Sequence, residues 1–340
     1  MPQPDHVVVI GGAGFIGRCL TADLLKSGCA VTVVSRSAGA NPTPGVRYFR
    51  ATVADAARIT DAIDGASVVY DLSMGGGPAW KDFERDYIQG ATNVARACQK
   101  HGVRRFIYTS STAALYLGGS GTVLETGGPD PQSEQRGNYT RAKAAAERLL
   151  TALYQQEKLP VVITRPAIVL GPGGMLIHGA IGNQISETCI LGWGRGDNPL
   201  PCVLARDVAK AMLLAKDAPG IEGKTFNLAG DVRPSAQEIV QFIAGKTMRK
   251  FRFFPRSGLS MAFSYYTVNG LKKLFHKQIY ESFRDLKSSS MTAVVDCSQA
   301  RQLLGWKPES DHNTFFQEAF ECHIKPVPPG DLRLEPAGIR

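Results

Sequence analysis

The stretch VVVIGGAGFIG, residues 7–17, decides the architecture. Three valines and an isoleucine run straight into glycine, and Gly11, Gly14 and Gly17 then recur at every third position. An unbroken apolar run reads as a strand buried on both faces. The segment FIGRCLTADLLKSG (15–28) has helical spacing and stops at Gly28. The turn between strand and helix needs residues free of Cβ, so that the backbone can approach a pyrophosphate. The helix start then offers its unpaired N–H groups to that anion. Phe15 and Ile16 lie among the glycines and join the expected dinucleotide contacts.

Strand and helix go on alternating outward from this point. AVTVVSR (30–36) is β-branched, ARITDAIDG (57–65) a short helix and ASVVYDLS (66–73) a strand. DFERDYIQGATNVARACQKHG (82–102) is a long helix, VRRFIYTSS (103–111) a strand, and YTRAKAAAERLLTALYQQE (139–157) a helix. PVVITRPAIVLGPGG (160–174) reads as a strand running into a loop. This pattern predicts an α/β fold, a doubly wound parallel Rossmann sheet with helices on both faces. After Gly171 the Gly/Pro punctuation thickens. A dinucleotide domain is expected over 1–171 plus about 203–232. A smaller mixed α/β substrate domain is expected over about 172–202 and 233–325, with a loosely ordered tail at 326–340.

Bulk composition narrows the class. The chain has 340 residues and a formal net charge of +9. None of its seven cysteines lies close enough to another to suggest a metal pair or redox motif, so no metal site is expected. No basic-then-apolar leader is visible, and no run reaches the length needed to span a bilayer. The expectation is a cytoplasmic protein, or one peripheral at the inner membrane face, with no nucleic-acid partner. Between Lys246 and Lys287 ten Lys/Arg face two acids, so this block carries most of the excess charge. It suits an anionic membrane surface or a phosphorylated substrate, and equally a solvated basic face. Within it, RSGLSMAFSYYTVNGLKKLFHKQ (256–278) reads either as an amphipathic element lying on a bilayer or as a core helix.

Tyr139 and Lys143 stand one helical turn apart, on one face. A free phenol titrates near 10, and a neighbouring cation is expected to bring it closer to neutrality. Tyr139 then becomes a proton donor or acceptor while a hydride moves to or from a nicotinamide. The strand 103–111 ends in Ser110 and Ser111 at the carboxyl edge of the sheet, where a hydroxyl meets the reacting oxygen. The second strand ends in Ser35 and Arg36, where an acid would select NAD. A hydroxyl and a guanidinium attract a 2′-phosphate instead, so NADP(H) is favoured, with NAD(H) as the alternative.

The glycine spacing, the Ser–Tyr–Lys set and three later stretches carry a family resemblance. TRPAIVLGPGG (164–174), LARDVAKAMLLA (204–215) and DCSQARQLLGWKPES (296–310) complete it. The chain resembles the extended short-chain dehydrogenase/reductase superfamily, the NAD-dependent epimerase/dehydratase family, with sterol-dehydrogenase-like features in its C-terminal part. The resemblance implies Ser111 as the catalytic serine, with Ser110, Thr109 and Thr112 as alternatives. It implies Lys143 on the nicotinamide ribose, Pro166 and Ile168 beside the nicotinamide, and a homodimer through helices 82–101 and 139–157. Three positions depart. Asp71-Leu72-Ser73-Met74 replaces a His-x-Ala-Ala, with Leu72 and Ser73 expected against the cofactor. Tyr87 replaces an asparagine, and Thr52 an acid for which Asp55 is the substitute. MGGGPAW (74–80) reads either as a mobile lid whose Trp80 covers an apolar substrate or as a plain surface loop. The expected function is carbonyl–alcohol interconversion on a bulky or lipid-like substrate. A nucleotide-sugar epimerase or dehydratase with tightly bound NAD is the alternative.

Overall fold

The computed structural model describes residues 5–37, 43–247, 250–274 and 282–324. The central sheet contains β1 (His6–Ile10), β2 (Ala30–Ser35), β3 (Val46–Arg50), β4 (Val68–Asp71), β5 (Arg105–Thr109), β6 (Val161–Pro166) and β7 (Thr225–Leu228). All neighbours are parallel, in the order β7-β6-β5-β4-β1-β2-β3. The order reverses at β1, which pairs with β2 on one side and β4 on the other. Ligands bind beyond the carboxyl ends of strands at such a switch point. Ile10 is in register with both Val34 and Asp71. The glycine turn, Ser35 and Leu72 therefore leave the sheet side by side.

The side-chain period of two divides the core. Val7 and Val9 face one apolar cluster with Leu20 and Leu24 of α1 (Phe15–Lys26) and Met212 of a later helix, Ala205–Ala215. Val8 and Ile10 face the other, with Ile59 and Ile63 of α2 (Ala56–Ile63). A third helix, α3 (80–100), joins that side. It is α-helical at Trp80–Phe83, π-helical at Glu84–Gln89 and α-helical again at Gly90–Lys100. Helix α4 (Asn138–Glu157) packs beside it through Ala146 and Leu150.

The run predicted as one strand over 160–170 is two. β6 ends at Pro166, and Ile168–Leu170 pairs instead with Cys202–Leu204. The chain thus leaves the main sheet at Ala167 and enters a third apolar cluster, which includes Ile168, Ile190, Ile239 and Phe316. A mixed three-stranded sheet lies there, formed by Asn183–Ser186, Cys189–Leu191 and Arg252–Phe254. Trp306 is fully buried, and its indole N–H donates to the Asp207 carbonyl at 2.8 Å.

The helix Gly258–Leu274 is not a core helix. Met261 is its one buried side chain among those described, while Leu259, Phe263 and Tyr266 are 85%, 74% and 67% exposed. Among the described residues no helix is long and apolar enough to cross a membrane. The tail 326–340, Arg249 and Lys277, and the side chains of Lys272 and Lys273, lie outside the described residues.

Candidate active site

A cleft of about 1280 Å3 opens along the carboxyl edge of the sheet. Gly11, Gly14, Phe15, Ile16, Gly17, Ser35, Arg36, Leu72 and Ser73 line one part of it. Ser111, Tyr139, Lys143, Pro166 and Ile168 line it as well. The glycine turn is shaped for close approach. Gly11 has φ +80°, and a Cβ there would sit 2.7 Å from the Leu72 carbonyl oxygen. Gly14 caps α1 with extended backbone and no side-chain cap, leaving the first N–H groups for an outside acceptor. These features fit the pyrophosphate of a dinucleotide.

Asp55 is not part of this wall. Its carboxylate accepts from the Arg58 N–H at 3.1 Å and caps α2. The segment that lines the cleft is Ala51, Thr52, Val53 and Ala54. The acid expected after β3 is thus spent on a helix N-terminus.

Lys143 is 3% exposed and is held on the Thr109 carbonyl, to which its Nζ donates at 2.7 Å. The ammonium sits over the rings of Tyr87 and Tyr108, 4.8 and 5.0 Å from their centroids. Burial lowers its pKa to about 8, against the pull of the Asp71 and Glu147 carboxylates. Asp71, buried at the end of β4, is itself pushed up by burial. Glu147 is committed elsewhere, in a buried multidentate pair with Arg165 at 2.6–3.1 Å.

Tyr139 is half-buried and hydrogen-bonded to Ser111. Ser111 also caps a short 3-10 turn, its Oγ accepting from the Ala113 N–H at 3.1 Å. The hydroxyls of Thr109 and Ser110 are buried without a partner among the described residues. The expected acidification of Tyr139 is not what the structure shows. Burial raises its pKa, and the Ser111 hydrogen bond only partly offsets that. The cause is burial of the phenol, and Lys143, whose amine is aimed at the Thr109 carbonyl, is not among the groups that shift it.

Trp80 does not cover the cleft. The Arg141 guanidinium lies 3.7 Å from its ring centroid, and Trp80 is absent from the lining. Trp193 lines the cleft in its stead, with Leu117, Met175, His178, Leu286 and Met291. Nor do the glycines of 75–77 mark looseness. A Cβ on Gly76, at φ +107°, would meet the Phe83 ring at 2.9 Å, and one on Gly77 would meet the Asp82 carboxylate at 2.6 Å.

The family model described as the NAD dependent epimerase/dehydratase family matches residues 7–229. The chain belongs to that family. It is 27% identical over 252 residues to a 2-alkyl-3-oxoalkanoate reductase of Stenotrophomonas maltophilia, covering 70% of this chain and 74% of that one. It is 23% identical to the decarboxylating sterol-4-alpha-carboxylate 3-dehydrogenase of Candida albicans, over 91% and 95% of the two chains. The solved structure of a UDP-glucuronic acid 4-epimerase from Bacillus cereus in complex with NAD superposes with a TM-score of 0.70. The identity is 20%, over 93% of this chain and 98% of that one. The family's members among these relatives are oxidoreductases and epimerases, and this chain is an enzyme of the same family.

Proposed function

We propose that this member of the family is an NADP(H)-dependent oxidoreductase that reduces a carbonyl on an apolar substrate, with Tyr139 as the proton donor. The observation that carries this reading is the charge balance of the cleft. Among the cationic side chains that line it, Arg85 pairs with Asp86, and Arg136 with Asp285. His178 is pushed below its usual range by burial, and its Nδ1 accepts the Ala180 N–H. Little free positive charge remains to hold a substrate diphosphate. The apolar side chains of Leu117, Met175, Trp193, Leu286 and Met291 suit a hydrocarbon body instead. Arg36, beside Ser35, is exposed at the edge of the cleft, where its guanidinium also acts on the Asp86 carboxylate, and it is placed to take a 2′-phosphate.

The protonation states favour reduction. Tyr139, raised above its usual range, keeps its proton at neutral pH and can give it to a carbonyl oxygen. Ser111 orients that oxygen through its hydroxyl. Lys143, with a pKa of about 8, carries charge at pH 7 on the same wall of the cleft. The dinucleotide, when bound, supplies the hydride. The exposed Leu259, Phe263 and Tyr266, near Arg252 and Arg256, dock the enzyme on an anionic bilayer from which an apolar substrate is drawn. Helices α3 and α4 form the face of a homodimer.

The test is stoichiometry. Purified protein should consume NADPH one-for-one with a bulky ketone, and Arg36→Ala should weaken NADPH much more than NADH. Tightly bound NAD with UDP-sugar interconversion and no net NADPH use would replace this reading with the epimerase. Absence of co-sedimentation with anionic liposomes at low salt would remove the membrane contact.

A further inference from the structure

Helix α3 carries a π-turn at Glu84–Gln89 between two α-helical parts. Single wide turns of this kind re-aim a side chain and cluster at functional sites. The buried residue within this one is Tyr87, 3% exposed. Its ring meets Tyr139 edge-on, with centroids 5.8 Å apart at 82°. It stacks on Phe83 at 5.9 Å and 14°, and lies under the Lys143 ammonium. Its hydroxyl donates to the Gly75 carbonyl at 3.0 Å and accepts the Gly75 N–H at 3.3 Å. Gly75 directly follows Leu72, Ser73 and Met74, which line the cleft. One side chain therefore touches the phenol, the ammonium and the wall of the dinucleotide site.

We propose that Tyr87 is a positioning residue: its ring fixes Tyr139 and Lys143, and its hydroxyl ties the 72–75 wall to them. The inference rests on Tyr139 being the proton donor. Tyr139 stands in the first turn of α4, and its ring needs restriction besides the Ser111 hydrogen bond to hold one orientation. An edge contact from a buried aromatic supplies that restriction. The groups facing Lys143 are Asp71, Glu147, Tyr87, Tyr108 and the Thr109 carbonyl. Two ring faces stabilise the cation without adding a carboxylate that would draw it away. Burial pushes the Tyr87 phenol up to about 12, so it stays neutral and does not compete for the proton. The asparagine that family resemblance places here could bond the same glycine but would offer no ring.

Two variants separate the ring from the hydroxyl. Tyr87→Phe keeps the ring and loses the tie to Gly75, so NADPH should bind roughly three- to tenfold more weakly while the alkaline limb of the pH profile stays in place. Tyr87→Leu removes the ring. Here kcat should fall about tenfold or more, and the alkaline limb of the profile should move down by about half a pH unit, since Lys143 loses a stabilising face. Tyr139→Phe serves as the control. If it is inactive while Tyr87→Leu keeps wild-type kcat and profile, the positioning role is overturned and the proton-donor reading stands. Unchanged NADPH affinity in Tyr87→Phe overturns the hydroxyl's part, even if the leucine variant does not fold. Full activity in Tyr139→Phe overturns the proton-donor reading and this inference with it.

Discussion

Replacing Lys143 by methionine should abolish activity and yet make the protein more stable at neutral pH. The side chain is buried, and its pKa in the fold is about 8 against an unperturbed 10.5. A lysine with a depressed folded pKa is one whose charged form the fold disfavours. The penalty is complete below pH 8, shrinks between 8 and 10.5, and is gone above that window. By that linkage the penalty is about 3 kcal/mol at pH 7 and about 1 kcal/mol at pH 10. Methionine has a similar shape and no charge, so it removes this term. It also strands the Thr109 carbonyl and gives up two ring contacts, which together cost about 1–2 kcal/mol. The net at pH 7 is a gain of about 1–2 kcal/mol. With the unfolding entropy usual for a chain of this length, that is a rise in Tm of about 2 °C. At pH 10 the remaining penalty no longer exceeds the losses, and the variant should be no more stable than wild type. Thermal unfolding followed by circular dichroism at both pH values makes the comparison. A variant that is less stable than wild type at pH 7, or a difference indifferent to pH, would refute the idea that Lys143 is a cation kept against the interest of the fold.

Three further outcomes follow from the same geometry. Tyr139→Phe should lower kcat by about 10²–10⁴ while leaving NADPH affinity unchanged in a fluorescence titration, because only the proton is lost. Arg165→Met leaves the buried Glu147 carboxylate unpaired, which should cost about 3–5 kcal/mol and lower Tm by several degrees in calorimetry. Adding Glu147→Leu should recover much of that loss. Gly76→Ala combines φ +107° with a contact on Phe83, and should destabilise by about 1–3 kcal/mol in urea titrations.

What the sequence discloses here is what is local. The first strand and its glycines are read within eleven residues, and Tyr139 with Lys143 within one turn. The end of β5 needs only an apolar run that stops at serines. What depends on a distant partner was not legible. Asp55 is an acid near the right strand, but the segment it opens is a short helix, and the carboxylate is taken by the cap. Trp80 is near the right loop, but its ring meets Arg141 from another helix. The cleft-lining Trp193 and His178 lie in a stretch without regular periodicity, so nothing marked them. β3, an edge strand with Arg47 and Arg50 exposed, has no unbroken apolar run to mark it.

The glycines at 75–77 show that one observation can support opposite mechanics. Absence of Cβ permits motion and permits close contact, and the sequence is the same for both. The structure distinguishes them because three successive glycines each meet a side chain of α3: Asp86, Phe83 and Asp82. Two of those carboxylates also accept backbone N–H groups of the loop, from Gly76 at 2.9 Å and from Ala79 at 3.2 Å. A segment held this way opens only by giving up these contacts with α3. On the proposed reading, substrate enters past Trp193, Leu286 and Met291, which line the cleft as well. An apolar substrate then meets mostly side chains beyond Gly171, and the proton chemistry stays with Ser111, Tyr139 and Lys143.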